Sequence, residues 1–162
     1  MGSSLGQKLS KRKALRRKDA RKIKEKAEAQ LGPIESSRID QAEIEDWARV
    51  YLLEGTIQLA FREDTLFPAL TNPLIARLPS IVVDMGAVPY VCKGADVMAP
   101  GIKEVREEFE AGDLIVVRDV NHGKALAIGK ALVRSEEMRG MEKGKAVKNL
   151  HHVGDKLWQA LG

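Results

Sequence analysis

The sequence predicts an α+β protein: an N-terminal α/β lobe with a basic helix and a β-hairpin, followed by a small β-domain. Three observations carry this. Residues 10–31 run without Gly or Pro through Ala, Lys, Arg and Glu. Residues 44–62 hold two apolar runs on either side of Glu54-Gly55. From Ser80 onward, short β-branched runs are broken by turn residues, the pattern of a small barrel or sandwich.

The first segment, "SKRKALRRKDARKIKEKAEAQL", is closed by Gly32 and Pro33 and is predicted as a helix over 10–31. Its stripe of Leu9, Arg16, Ala20, Ile23, Ala27 and Leu31 is apolar only toward the C-terminal end. Residues 20–31 are therefore expected to dock, while 8–18 stay in water. The charge is uneven: residues 1–31 hold 11 Lys/Arg against 3 Asp/Glu, and the other 131 residues hold 16 against 20. A polycation is attached to a mildly acidic body. Such a run is either a solvated face or the electrostatic footprint of phosphate binding, through Lys11, Arg12, Lys13, Arg16 and Arg17.

The hairpin "IEDWARVYLLEGTIQLAFR" turns at Glu54-Gly55, which sets Leu52 opposite Ile57, Val50 opposite Leu59 and Ala48 opposite Phe61. That face is aliphatic. The other gathers Trp47, Arg49 and Tyr51 with Gln58, Ala60 and Arg62, either covered by the N-terminal helix or exposed to RNA or a protein partner. "TLFPALTNPLIARLPS" supplies a short apolar helix that ends the first lobe.

In the second lobe "SIVVD" reads as a strand, "GAVPYVCKGA" as a short helix and "ADVMAPGI" as a strand entering a turn. "LIVVRDVNHGKALAIGKALV" is a second hairpin around His122-Gly123. Its returning strand has Ala125, Ala127, Gly129 and Ala131 on one face, and Leu126, Ile128 and Leu132 on the other. Small residues along one face suit a tightly curved wall. "SEEM" opens a helical turn with Ser135 as its cap, and the C-terminal run ends in Trp158, expected to plug the barrel's end.

Much chemistry is absent. Neither "HGKA" nor "KGKA" has phosphate-loop spacing, and no G-x-G-x-x-G follows a strand. Cys92 is a single cysteine on a short helix, read as a small buried hydrophobe. Among His122, His151 and His152, the adjacent pair points to opposite faces of a strand. No catalytic residue, metal site, cofactor or nucleotide site is predicted. "MGSSLG" has Gly6 where a myristoylation site needs Ser or Thr, no run is long and apolar enough to span a membrane, and no signal peptide is evident. The expected location is the cytoplasm.

The runs "DMGAVPYVCKGADVMAPGI", "GDLIVVRD", "ALAIG", "SEEM" and "GKAVKNLHHVGDKLW" occur in an order that resembles the PUA domain, named for pseudouridine synthase and archaeosine transglycosylase. The version in the malignant-T-cell-amplified-sequence family is the nearest in pattern, with "REDTLFPAL" similar to that family's charged turn and aromatic-Pro-x-Leu stretch. The resemblance spans Lys11 to Leu161 and divides the chain into an N-terminal lobe, 1–79, and a PUA domain, 80–162. It implies an RNA-binding pseudo-barrel acting at the small ribosomal subunit, in initiation, reinitiation or recycling of deacylated tRNA.

Eukaryotic relatives act with density-regulated protein or are fused to a similar partner in ligatin, so the resemblance implies a density-regulated-protein-like partner. This sequence carries no fused partner, and its compact length and basic first helix look more like stand-alone archaeal members. In PUA domains the segment matching "YVCKGADVMAPG" faces RNA. Carried across, this nominates Lys93, Gly94, Ala95, Asp96, Val97, Met98, Pro100 and Gly101, with Lys156 as a further candidate. Glycines let a backbone approach ribose-phosphate closely. Alternate residues of "ADVMAP" must fill the barrel, so only one of Val97 and Met98 should face outward. Asp96 is expected in a cap or turn bond.

The leading expectation is a non-enzymatic RNA-binding translation factor. The alternatives are an RNA-binding accessory subunit of a tRNA or rRNA modification enzyme, and a protein-interaction module gripping a translation factor through Trp47, Arg49 and Tyr51.

Overall fold

A computed structural model describes residues 9–161, so the Met1–Gly6 stretch lies outside the described residues. The chain forms two compact units. One runs up to Arg77 and takes in the C-terminal segment from Lys156; the other is Leu78–Asp155.

The first unit contains a five-stranded antiparallel sheet in sequential order: β1 (Leu9–Ala14), β2 (Ile39–Ile44), β3 (Ala48–Leu53), β4 (Thr56–Arg62) and β5 (Thr65–Pro68). Helix α1 (Arg17–Leu31) lies between β1 and β2 in sequence. The predicted helix over 10–31 is thus corrected at its N-terminal third. Local propensity favours helix there, but Leu9–Ala14 pairs with β2, and the Arg12 guanidinium reaches Asp40 at 3.0 Å. A non-local ladder outweighs propensity. Lys11 takes φ 52° where the register slips, giving a bulged, lysine-rich edge that discourages further strand pairing. Helix α1 ends as predicted at Gly32, and Arg77 donates to the Leu31 and Pro33 carbonyls at 2.7 and 3.1 Å.

The Glu54-Gly55 turn is present, with φ of 51° and 87°. Leu52 faces Ile57 as expected, but Gln58 then bulges out. Tyr51 therefore pairs with Leu59, Val50 with Ala60 and Arg49 with Phe61, one residue off the predicted register. The bulge has a cause: the Gln58 carbonyl accepts bonds from the Ala69 amide (2.9 Å) and the Asn72 side chain (3.1 Å). The predicted aliphatic face is consequently split, and Val50, Tyr51 and Leu59 are all buried. "TLFPALTNPLIARLPS" is strand β5 followed by a 3₁₀ turn, Pro73–Arg77, rather than one helix. Strand β5 pairs with β4 across a tight Glu63-Asp64 turn, both residues at positive φ.

The second unit has a six-stranded sheet of order β7-β11-β10-β9-β6-β8, formed by β6 (Ser80–Val83), β7 (Val97–Met98), β8 (Ile102–Arg106), β9 (Leu114–Asp119), β10 (Ala125–Ala131) and β11 (Lys145–His152). Strands β6 and β9 run parallel and the other neighbours antiparallel. Its edges, β7 and β8, are joined only by the 3₁₀ turn Ala99–Gly101. Four Cα steps reach at most about 14 Å, while six flat strands would set the edges about 24 Å apart. The sheet must curl into a pseudo-barrel.

Ile81, Val83, Ile115, Val117, Ala127 and Val147 fill its core. A Cβ on Gly129 would collide with Val147 Cγ1 and lie 2.9 Å from the Lys148 carbonyl, so glycine permits a close approach of β10 to β11. Bulges in β10 also put Leu126 and Ala127 into the same core, breaking the expected division of faces. Ser135 opens α3 (Ser135–Arg139), but its Oγ is not the cap: it accepts the Phe109 amide and donates to Glu108. Helix α4 (Lys156–Leu161) is grouped with the first unit rather than with the barrel, and its Trp158 is half-buried.

Candidate nucleic-acid interface

The segment that leads from β6 to the edge strand β7 contains α2 (Val88–Val91). Asp84 prepares this helix by accepting the Ala87 amide at 2.9 Å. In so short a helix, Val91 faces the core while Tyr90 is left outside, 68% exposed. Val97 is buried in the core and Met98 is 46% exposed, the division that alternation requires. Lys93, Gly94, Ala95 and Pro100 are exposed, and Gly101 is half-buried. Between α2 and the seam lies an apolar groove of about 370 Å³, with Ala87, Tyr90, Met98 and Pro100 among its lining. Tyr90, absent from the sequence-derived site set, is the large aromatic at its rim.

One side chain fastens this loop. Asn149 of β11 donates through Nδ2 to the Val91 carbonyl (3.1 Å) and the Ala95 carbonyl (3.0 Å), and its own amide donates to Asp96 Oδ1 (3.0 Å). Asp96 also pairs with Lys145 at 3.5 Å. Asp96 thus makes a long-range bond to β11 rather than the cap or turn bond expected of it. Asn149 is buried and holds loop backbone that would otherwise compete with water for its hydrogen bonds.

Gly94 has φ 95°, and a Cβ there would sit 3.2 Å from His152 Nε2. His152 Nδ1 lies 2.9 Å from the Val153 carbonyl; that bond places a proton on Nδ1 and leaves Nε2 toward Gly94. His151 points the other way, fully buried against Asp155 at 2.9 Å. Cys92 is half-buried; burial pushes its thiol pKa up, against a smaller opposing pull from Lys124.

The remaining candidates lie in the first unit. Lys11, Arg12 and Lys13 are exposed on β1, and Arg16 and Arg17 stand at the start of α1. Several are already occupied: Lys11 pairs with Glu43 (3.7 Å), Arg12 with Asp40 and Arg16 with Asp19 (3.2 Å). Lys156 is exposed on α4, outside the barrel unit. Tyr51 is buried and is corrected out of the proposed partner face, where Arg49 donates to its hydroxyl. Trp47 is half-buried beneath the Arg62 guanidinium, 4.5 Å from the ring centroid.

This curled sheet with its stapled edge loop is a PUA domain: the PUA family model matches residues 79–153. An uncharacterized protein of Methanocaldococcus jannaschii is 36% identical over 95% of this chain and 99% of its own length. Translation machinery-associated protein 20 of Saccharomyces cerevisiae is 31% identical over 75% of this chain and 72% of its own. The crystal structure of a hypothetical protein from Pyrococcus horikoshii superposes with a TM-score of 0.79 at 31% identity, covering 93% of this chain and 99% of that one. The chain belongs to the PUA-domain family that includes translation machinery-associated protein 20 and the malignant T-cell-amplified sequence proteins.

Proposed function

We propose that the chain is a non-enzymatic RNA-binding protein of the translation machinery, and that the segment Lys93–Gly101 engages a tRNA acceptor end or an unpaired segment of small-subunit rRNA. The observation that carries this is the stapled loop at the barrel seam. It offers an apolar groove between exposed Tyr90 and Met98, with Lys93 close by in sequence as a point charge. An unpaired base needs a flat apolar contact and a nearby cation for its phosphate, and such stacking is sequence-tolerant. The family relationship supplies the setting, since the yeast relative is named for association with the translation machinery.

Val97 is a core residue that contributes to this surface only as part of the groove's lining. Gly94 and Gly101 contribute backbone access, and Asp96 holds the loop's shape. Among the described residues no helix is long and apolar enough to cross a membrane, which agrees with a role at ribosomes or tRNA.

The test compares binding of intact deacylated tRNA with tRNA lacking its 3′-terminal nucleotides. The wild-type chain should prefer the intact end, and Met98→Glu should reduce that affinity by about tenfold or more, the scale of losing a stacked base. Equal affinity for both RNAs together with an unaffected variant would refute the reading.

A further inference from the structure

Arg17, Arg21 and Lys24 stand on one side of α1 at spacings of four and three residues, and line an open groove of about 420 Å³. Ser36, Ser37 and Arg38 form its other wall. No carboxylate is among the lining residues. Among the described residues, Arg17, Arg21 and Lys24 form no ion pair, whereas Arg12 and Arg16 are matched to Asp40 and Asp19. Arg38 bonds Asp40 through Nε at 3.2 Å, yet its side chain remains 68% exposed. The wall opposite the helix is held by local bonds: Ser36 Oγ donates to the Arg38 carbonyl at 3.1 Å, and the Ser37 amide donates to Glu54 at 3.2 Å.

Like charges four residues apart on a helix destabilise it, so uncompensated cations facing a single groove call for an external anion. Their arrangement says which kind. The three α1 cations do not converge on a point; they are strung along two turns, with axial steps of about 6 and about 4.5 Å. This suits successive phosphates of one strand better than a small anion. We propose that this groove grips the sugar-phosphate backbone of RNA, with Arg17, Arg21 and Lys24 meeting consecutive phosphates and Arg38 reaching across from the facing wall. The assignment rests on the RNA-binding reading above and adds to it a second, sequence-indifferent contact built on the first unit.

The experiment measures fluorescence anisotropy of labelled tRNA and of a labelled small-subunit rRNA hairpin with the full chain, between about 50 and 200 mM salt. The triple variant R17Q/R21Q/K24Q should bind both RNAs at least about tenfold more weakly at the low-salt end. It should also reduce the slope of log affinity against log salt by two to three, about one for each lost phosphate contact. R21E alone should weaken both RNAs in the same direction, and circular dichroism melting should match the wild type for both variants. Met98→Glu should instead lose acceptor-end preference with the slope intact. If the wild type binds and the groove variants keep its affinity and slope, the groove assignment falls while the loop reading stands; if the wild type binds none of these RNAs, both fall.

Discussion

The two units present cations and loops to solvent in different ways. In the first, charge sits on a bulged edge strand and an exposed helix face, and Lys11, Arg12 and Arg16 are each held by a separate ion pair. In the second, the candidate surface is a loop whose path depends on a buried amide from another strand and on a glycine inside the sheet. A charged surface of the first kind loses contacts one at a time when residues are replaced. A stapled loop can be lost whole, through residues that touch no RNA. The contrast predicts that substitutions in the barrel interior cost stability and recognition together, while those in the first unit's groove cost affinity alone.

The largest effect should come from Gly129→Val. The new side chain would enter space held by Val147 and the Lys148 carbonyl, next to the segment of β11 that carries Asn149. Overpacking of this kind costs about 1–3 kcal/mol, and more where a backbone cannot shift. Urea denaturation should show the loss; wild-type stability in the variant would mean that the strands separate easily at this point. Asn149→Ala comes next. It removes the side-chain bonds to the Val91 and Ala95 carbonyls, the first of which keeps the Gly94 amide while the second lies on an exposed residue, at a cost of about 0.5–1.5 kcal/mol for each bond lost. Hydrogen exchange of the amides of residues 93–97 should quicken and the tRNA-end preference should vanish, with the salt slope retained. Unchanged exchange would show that the loop does not depend on the staple.

How far the sequence disclosed this architecture follows the range of the interactions that build it. The Glu54-Gly55 turn was legible because glycine marks positive φ locally, whereas Glu63-Asp64 adopts the same geometry without that mark. The Gln58 bulge was not legible: its carbonyl is satisfied by Ala69 and Asn72, residues whose placement requires the folded sheet. For the same reason Ser10–Ala14 read as helix; nothing within those residues announces a partner strand that lies beyond the following helix. In the candidate site, alternation called for a split between Val97 and Met98, and the family resemblance picked out the loop. Asn149 and Tyr90 went unseen, since one amide within a strand and one aromatic on a four-residue helix give no periodic signal.

The smallest effect separates the two units by pH. Hydrogen bonding from Arg38 holds the Asp40 carboxyl below its ordinary value of about 3.8; Arg12 adds to this, and burial works against it. A carboxyl whose folded-state pKa is depressed contributes stability that is present above its unfolded value and is lost as pH falls through the folded one. Asp40→Asn should therefore lower the melting temperature at neutral pH, and the difference from wild type should shrink as pH drops below about 3.8. The barrel has acid-sensitive carboxyls of its own: Ser135 and Arg139 lower the pKa of Glu108, and the His122 and Lys124 amides lower that of Asp119. Circular dichroism would mix the two sources. Tryptophan fluorescence separates them, because Trp47 and Trp158 both belong to the first unit. If the variant's fluorescence melt keeps the wild-type acid dependence, the Asp40 pairs do not anchor β1, and the strand must be held by its backbone ladder and the exposed Lys11–Glu43 pair.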